Sequence, residues 1–194
     1  MEEDENVQDT NNVQALNEVS TNDGLDRDTL EKIDTTDVIT YLNTTPRATT
    51  KKWDLFGVGT TEYEESYNSN VSEEHWIIDK NANKDVDGYG LTSGPEQTCY
   101  KGDPVFEFID DIRYRLKTGK DAETEVLEID KYKVTDADTT PKYQARVFKV
   151  CIGLDSRSRE GGAGVKIKYS INYKGDPTFG TVTFTNGKPV FTAE

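Results

Sequence analysis

The sequence predicts a mainly β domain with one α-helix, preceded by an acidic leader. Short apolar runs separated by turn residues follow one another from residue 35 to the C-terminus, which is the pattern of β-strands. One stretch, residues 104–118, combines helix start and stop signals with apolar residues at helical spacing. The length of 194 residues and the apolar content of 33% suffice for a single domain with one core.

Residues 1–34 form the leader. They carry eleven acidic and two basic residues, and hence a formal charge of −9, out of −14 for the whole chain. They contain no aromatic residue, so they cannot bury enough apolar surface to offset the entropy lost on ordering. We expect the leader to be largely disordered, with residues 1–24 mobile and a short helix over residues 25–34.

The strands of the domain, residues 35–194, are predicted from alternation and turn chemistry. In "VKIKYSINY", residues 165–173, apolar and polar side chains alternate, which gives one buried and one wet face. "KGDP" is expected to turn the chain, and Asn186-Gly187 suits a two-residue hairpin turn. Pro189 places the last strand, "PVFT", at a sheet edge or a strand start. Further strands are predicted at "TFGTVTF", "DVITYL", "KWDLFGVG", "HWIID", "EQTCYK", "EVLEIDKYKV" and "YQARVFKVCIGL".

Residues 59–75 are predicted to form a long loop. Their sequence, "TTEYEESYNSNVSEE" between Gly59 and His75, is polar, contains two tyrosines and shows no periodicity. Loops of this length within a compact domain are usually functional or disordered. We therefore treat this loop as a candidate functional segment.

The predicted helix has matched ends and two distinct faces. Asp103 suits the N-cap, Pro104 the first helical position and Gly119 the position just past the end. Because the acids of the helix lie on its polar face, we interpret them as solvated and not as a catalytic or metal-binding group. On that face, opposite charges are spaced to pair: Asp110 with Arg113, and Asp111 with Arg115. The apolar stripe consists of Val105, Phe108, Ile109, Ile112 and Leu116.

No pattern of an enzyme or cofactor site is found, and we expect no catalytic residue, cofactor or metal. Residues 79–87 place oxygen ligands at alternate positions, as a calcium loop does. However, Lys84 stands where that loop needs glycine, and Gly90 stands where it needs glutamate. "SREGGAGVK" lacks the ending and the following helix of a phosphate-binding loop. His75 has no Ser or Cys motif that would make it a catalytic base.

Charge and hydropathy argue against two classes of partner. A charge of −14 and a pI near 4.5 disfavour a protein that grips nucleic acid by its phosphates. The sequence contains neither an apolar run of about 18 residues nor a signal peptide, so we expect synthesis in a cytosol and no membrane anchor. Cys99 and Cys151 lack a CxxC spacing and are expected to be buried free thiols.

Four segments occur in an informative order between about residues 37 and 192. They are "KKWDLFGVGTTEYEESYNSNVSEEHWIIDKNA", "CYKGDPVFEFIDDIRYRLKTGKDAETEVLEID", "YQARVFKVCIGL" and "INYKGDPTFGTVTF". Together they resemble the major tail tube proteins of tailed bacteriophages, or prophages, of Gram-positive bacteria. The resemblance implies an antiparallel β-sandwich, partly barrel-like, with one helix packed outside. It also implies a structural, non-enzymatic protein whose six subunits join into rings that stack into a tube.

The resemblance further implies roles for particular residues. In such proteins the long loop after the second strand reaches a neighbouring subunit or ring, and here it corresponds to residues 59–74. The expected subunit or ring contacts are aromatic, since aromatic residues dominate interface cores: Trp53, Tyr63, Tyr67 and Trp76. A negatively charged lumen would repel DNA phosphates. Its candidate residues, of which only one parity can face inward, are Glu123, Glu125, Glu128 and Asp130.

The partners implied by the resemblance are those of a virion. The chain would bind itself, a tape measure protein, a tail terminator and baseplate or tip proteins. As a late protein of the phage tail it would let DNA pass during genome ejection without specific binding. One alternative is the inner tube of a contractile tail or a tail-like bacteriocin, which a neighbouring sheath gene would indicate. Another is a glycan-binding β-sandwich with Trp53, Tyr63 and Trp76 as a stacking platform, although no secretion signal is seen.

Overall fold

The computed structural model describes residues 29–136 and 140–194. The chain divides into two units, Met1–Ile33 and Asp34–Glu194. Of the first unit only residues 29–33 are described, and these are exposed and not α-helical. The expectation of mobility over residues 1–24 and the first part of the helix expected over residues 25–34 lie outside the described residues.

In its described residues the second unit contains one α-helix, two short 3₁₀ helices and eleven strands. The α-helix and strands are β1 Val38–Asn43, β2 Trp53–Leu55, β3 Glu65–Ser66, β4 Ser69–Glu74, β5 Asn83–Tyr89, β6 Thr92–Ser93, β7 Glu96–Thr98, α1 Pro104–Arg115, β8 Glu123–Asp136, β9 Lys142–Ser158, β10 Lys166–Thr185 and β11 Lys188–Ala193. Nine strands form a single antiparallel sheet of order β2-β1-β8-β9-β10-β6-β3, in which β7 and β11 also pair with β10, while β4 and β5 form a separate two-stranded ribbon. The mainly β fold with one α-helix is confirmed, and the described part of the sheet stays open, because β2 and β3 do not pair with each other.

The central strands are buried on both faces, and each face carries its own core. Neighbouring residues such as Val126 and Leu127 on β8 point to opposite faces, since side chains alternate along a strand. The helix-side core contains the buried residues of α1 together with Leu42, Val126, Phe148, Val150, Ile152, Ile167, Tyr169 and Ile171. The hairpin-side core contains Tyr41, Leu127, Ile129, Ala145, Val147 and Val182, against which Phe184 and Phe191 of the β10–β11 hairpin pack.

The segment "KGDP", predicted to be a turn, lies instead within the 20-residue strand β10. Strand β10 pairs with β9 before and after this segment, and the register shifts between Lys174 and Thr178. Gly175 has a φ of +65°, a left-handed conformation that glycine adopts without steric cost. The glycine and proline therefore mark an irregularity within one strand, as β-bulges do, and not a reversal of the chain.

The helix begins as predicted and ends three residues early. The Asp103 side chain accepts hydrogen bonds from the backbone N–H groups of Val105 and Phe106, both at 3.2 Å, and Pro104 occupies the first turn. Leu116 takes a left-handed conformation, with φ +50°, and ends the helix at Arg115. Leu116 is consequently 81% exposed, so its assignment to the core stripe is wrong. Of the rest, Val105, Ile109 and Ile112 are buried and Phe108 is half-buried.

The C-terminal hairpin has the predicted turn. Asn186 and Gly187 have φ values of +51° and +74° and join β10 to β11, with Thr185 opposite Lys188. Two residues with positive φ are what a tight hairpin turn needs. In the described residues β11 pairs with β10 alone, so Pro189 lies in an edge strand as predicted.

The segment between β2 and β7 differs most from the prediction. Residues 59–75, expected to form a loop, contain β3 and β4. The predicted strand "HWIID" is instead the turn that connects β4 to β5, where the Asp79 N–H donates to the Trp76 carbonyl at 3.0 Å. The polar residues of β4 and β5 show no core-facing alternation because this ribbon has no core-facing side.

Candidate functional site

The β4–β5 ribbon, residues 69–89, is an exposed arm. All six residues of β4 are exposed, and in β5 only Gly88 is half-buried. At the tip, Trp76, Ile77 and Ile78 are 56%, 103% and 82% exposed. Three consecutive apolar side chains in solvent are a feature of interaction sites, because isolated proteins keep such patches small.

The two faces of the arm differ in chemistry. Val71 lies directly opposite Val86, and two residues further along the ribbon Glu73 and Lys84 form an ion pair at 3.3 Å. Since residues two apart share a face, these pairs make one half-apolar face. The other face is polar and carries Ser72 opposite Asp85. Both faces of the arm are exposed, and one of them is half apolar while the other is polar.

The root of the arm is held by backbone and side-chain contacts to the sheet. Asn68, with φ +44°, donates from its side-chain amide to the Gly90 carbonyl at 2.9 Å and to Thr92 Oγ1 at 3.1 Å. The rings of Tyr67 and Tyr89 pack edge to face with centroids 6.2 Å apart. Strand β3, which precedes the root, pairs with β6. These contacts fix where the arm leaves the sheet.

A cluster of charged groups lies beneath the root; we call Glu65, Glu128 and Arg146 the root cluster. Arg146 Nε donates to Glu128 Oε2 at 2.6 Å, and Arg146 Nη2 lies 3.6 Å from Glu65 Oε2. Tyr173 donates its hydroxyl hydrogen to Glu128 Oε1 at 3.0 Å. Burial, and then the charge of Glu128, raise the pKa of Glu65 to about 7, although Arg146 acts in the opposite direction.

The root cluster lines one wall of an open cleft of about 410 Å³. The cleft also contains apolar side chains that are themselves partly exposed, Val38, Tyr132 and Phe179. The arm root and the exposed end of the β8–β9 hairpin thus border the same concave surface.

The four predicted contact residues do not share one environment. Tyr67 lies at the root of the arm and Trp76 at its tip, and both are exposed. Trp53 is half-buried and packs against the hairpin-side core, with Lys51 Nζ 5.9 Å from its ring centroid. Tyr63 is half-buried and packs against the helix-side core and Phe56, with ring centroids 5.1 Å apart, so it contributes to the packing of the monomer, and its role as a contact between subunits stays a prediction. Trp53, Tyr63 and Trp76 therefore form no exposed stacking platform.

The four predicted lumen residues are also divided. Glu128 is buried and bound by Arg146 and Tyr173, so it cannot line a channel, and that assignment is corrected. Asp130 has the same parity and lies 3.9 Å from Lys133 Nζ. Glu123 and Glu125 have the other parity. These two glutamates face solvent at one end of β8, beyond the hairpin-side core.

Glu123 and Glu125 belong to an exposed sheet face that contains more lysines than glutamates. Along β10, the wet positions alternate with the buried residues Ile167, Tyr169 and Ile171. Lys174 Nζ donates to Glu123 at 2.5 Å, and this hydrogen bond lowers the Glu123 pKa. Lys51 Nζ donates to Glu125 at 2.8 Å. We call this surface the lysine face; it consists of Lys149, Lys166, Lys168 and Lys174 with Glu96, Glu123 and Glu125.

Sequence reasoning missed the residues that make the arm and its root distinctive. The sequence pattern predicts a strand over Ile77 and Ile78, although the acidic residues before them and Asp79 after them indicate a solvent-exposed turn. For Arg146 the pattern predicts only membership of the apolar strand "YQARVFKVCIGL". Its partner Glu128 lies on the neighbouring strand, and only the strand register brings the two together.

The described residues contain no group of three or more His, Cys, Asp or Glu side chains placed to hold a metal ion. Within the same ranges, no helix is both long enough and apolar enough to cross a membrane.

Comparison with known proteins identifies a shared fold. No family model and no curated protein matches the chain. A solved structure, the tail of an empty GTA particle refined with helical and C6 symmetry, matches with a TM-score of 0.53 and 10% identity. That match covers 76% of this chain and 98% of the other. An extracellular contractile injection system, in a PVC sheath–tube complex, matches with a TM-score of 0.39, 10% identity and coverages of 86% and 95%. The first match shows that the chain has the fold of a component of a six-fold symmetric tail.

Proposed function

We propose that the protein is the structural subunit of a tail tube, in which hexameric rings stack to form a channel for DNA. The fold shared with a chain of a C6-symmetric tail, over almost the whole of that chain, carries the proposal. The exposed arm supports it, because burial of the apolar tip against another copy of the chain would be favourable.

In this proposal the arm makes the contact between subunits or rings. Of the predicted contact set, Tyr67 lies at the root of the arm and Trp76 at its tip, where Ile77 and Ile78 are also exposed. Trp53 contributes from the short edge strand β2. Open edges also support ring formation, because β2 and β11 each leave backbone groups that a strand of a second copy can pair with.

The channel surface in this proposal includes Glu123 and Glu125 on the lysine face. Both glutamates have lysine partners, so the surface is mixed in sign and not strongly acidic. A mixed surface neither attracts phosphates strongly nor repels them strongly, which suits DNA that passes without specific binding. Asp130 lies on the opposite parity and would serve only if the other face lined the channel.

The remaining parts of the proposal follow from the resemblance to tail tube proteins of phages of Gram-positive bacteria. The subunit would belong to the virion as a late protein and would act in genome ejection. Its partners would be further copies of itself, a tape measure protein, a tail terminator and baseplate or tip proteins. A sheath gene beside its own would favour the alternative of a contractile tail or a tail-like bacteriocin.

Negative-stain electron microscopy of the purified full-length protein at high concentration tests the proposed function. Hollow tubes, or rings with six-fold symmetry, are the expected result. Particles that stay monomeric over a wide range of concentration and salt, together with sedimentation at the monomer mass, would contradict it. A glycan array on the same sample examines the binding-module alternative.

A further inference from the structure

The arm root contains one positive charge between two negative ones. Arg146 is the cation of the root cluster, and it contacts the buried Glu128 more closely than the half-buried Glu65, at 2.6 Å against 3.6 Å. With both glutamates ionised, the cluster holds an excess negative charge in a site that is only partly exposed to water. A single added proton balances it, and Glu65 is where that proton costs least, since its contact with Arg146 is the weaker one.

We infer that the root cluster makes the base of the arm a proton-sensitive joint, closed when Glu65 carries a proton and loosened when the proton leaves. This inference rests on the proposed role of the arm in assembly and adds a means of regulating it. Glu65 lies on β3, three residues before Asn68, which anchors the root of the arm. A change in the contacts that Glu65 makes can therefore alter the attachment of the arm across only three residues of the chain.

The groups that face Glu65 come from every element packed around it. Tyr67 follows on its own segment and donates its hydroxyl hydrogen to Glu65 at 3.5 Å. Protonated Glu65 can donate a hydrogen bond to Glu128, an arrangement that the ionised form replaces with repulsion. The other titratable or charged groups at this site are Tyr63 before β3, Asp130, Tyr132 and Lys133 on β8, Arg146 on β9 and Tyr173 on β10.

The direction of the effect follows from linkage. The pKa of Glu65 is about 7 in the folded chain, against an ordinary value of 4.5, so the closed root binds the proton more tightly than an open root does. Raising the pH from 4.5 to 7 therefore removes stability from the closed root, and the loss is complete above pH 7. Between pH 5.5 and 7.5 the opening equilibrium should rise up to roughly twentyfold.

Hydrogen exchange on the full-length monomer measures this opening. The informative amides are those of residues 65–66 and 92–93, where β3 pairs with β6. After correction for intrinsic exchange rates, we expect opening to increase up to roughly twentyfold from pH 5.5 to 7.5 in the unaltered chain. Glu65→Gln, which imitates the protonated form, should abolish that increase. Glu64→Gln, which removes the same charge at the exposed neighbouring position, should retain it.

Two results would overturn the joint. One is opening that does not change with pH in the unaltered chain, and the other is an undiminished change in Glu65→Gln. If Glu65→Gln does not fold, the carboxyl ¹³C titration of Glu65 in the unaltered chain decides, with a midpoint near 7 expected and one near 4.5 contradicting the inference.

Polymerisation at the two pH values separates the joint from the proposed function. Faster assembly at pH 5.5 than at pH 7.5, with the difference lost in Glu65→Gln, supports both. A pH-dependent root in a protein that forms no tube at any pH would keep the joint and remove the tube function. Tubes whose subunits show no pH-dependent opening would keep the tube function and remove the joint.

Discussion

Tyr63 and Tyr173, which are 110 residues apart in the sequence, bring their hydroxyl oxygens to 2.9 Å beside the helix-side core. Because Tyr173 donates its only hydroxyl hydrogen to Glu128, Tyr63 is the donor in this pair. The bond links the segment before β3 to the central strands. It also explains why Tyr63, with its pKa raised by burial, is a structural residue of the monomer.

Substitution of Tyr63 should therefore affect the stability of the monomer, whereas substitution of Tyr67 should affect assembly. Tyr63→Ala should lower the free energy of unfolding by about 3–5 kcal/mol, because it removes a packed aromatic ring. Tyr67→Ala should change it by less than about 1 kcal/mol and reduce assembly instead. Urea unfolding of the monomer and sedimentation of assembled protein measure the two effects. Equal destabilisation by both changes would contradict this division.

The tip of the arm should govern assembly without affecting the monomer. Replacing Ile77 and Ile78 together with serine should prevent or strongly slow polymerisation, because it removes apolar area available for burial between copies. The melting temperature of the monomer should stay nearly unchanged. Leu116→Ser, at a similarly exposed position outside the arm, is the matched control. Normal tubes from the doubly substituted chain would rule out the tip as a contact.

Removal of Arg146 should be costly even though it lies partly in solvent. Arg146→Met leaves the buried Glu128 without its cation, and such a loss typically costs about 3–5 kcal/mol. Adding Glu128→Gln should recover part of it. Arg115→Met, which breaks an exposed ion pair with Asp111, should cost only about 0–1 kcal/mol. Urea unfolding of the unaltered chain and of the three variants gives the free energies of unfolding. No recovery in the double variant would count against an energetic coupling between Arg146 and Glu128.

The N-cap of the helix offers a test of local energetics. Asp103→Ala should lower the free energy of unfolding by about 1–2 kcal/mol, since two backbone N–H groups lose their acceptor. The buried Gln97 side chain, which donates to Asp103 at 2.8 Å, also loses a partner. Asp103→Asn, which retains an acceptor oxygen, should be milder. Thermal unfolding followed by circular dichroism compares the two variants. An equal loss of stability in both would indicate that the negative charge of Asp103, and not its hydrogen bonds to the backbone, stabilises the helix.

Charge reversal on the lysine face tests the channel surface. In particles that carry Glu123→Lys and Glu125→Lys, DNA ejection should slow, because unpaired lysines would attract phosphates. Glu107→Lys, on the exposed face of the helix, adds half as much charge outside this face and is the control for position. Unchanged ejection kinetics in the double variant would indicate that this face does not meet the DNA.

Features set by local chemistry were predictable from the sequence. Asp103 and Pro104 start the helix and Asn186-Gly187 makes the hairpin turn, since each depends only on residues within a few positions. The alternation in residues 165–173 also survives in the structure, because one face of that part of β10 is buried and the other is wet.

Features set by pairing between distant segments were not predictable. "KGDP" has the composition of a turn, yet pairing with β9 on both sides keeps it within β10. The sequence distinguishes the acids of β8 only by parity, but the register gives the buried Glu128 an arginine partner and leaves Glu123 on a wet face. The apolar tip of the arm resembles a core strand in sequence, because composition alone does not reveal that the described residues leave it exposed.

The two cores are built on the same three strands, and this has a consequence for how the protein loses its structure. Strands β8, β9 and β10 each contribute side chains to both cores, so neither core can come apart while the other persists. Heating should therefore melt the sheet in one cooperative transition. The arm shares no buried residue with either core. The arm can therefore unfold locally at a lower free-energy cost than the sheet, so the conformation of its tip can vary while β8, β9 and β10 stay folded.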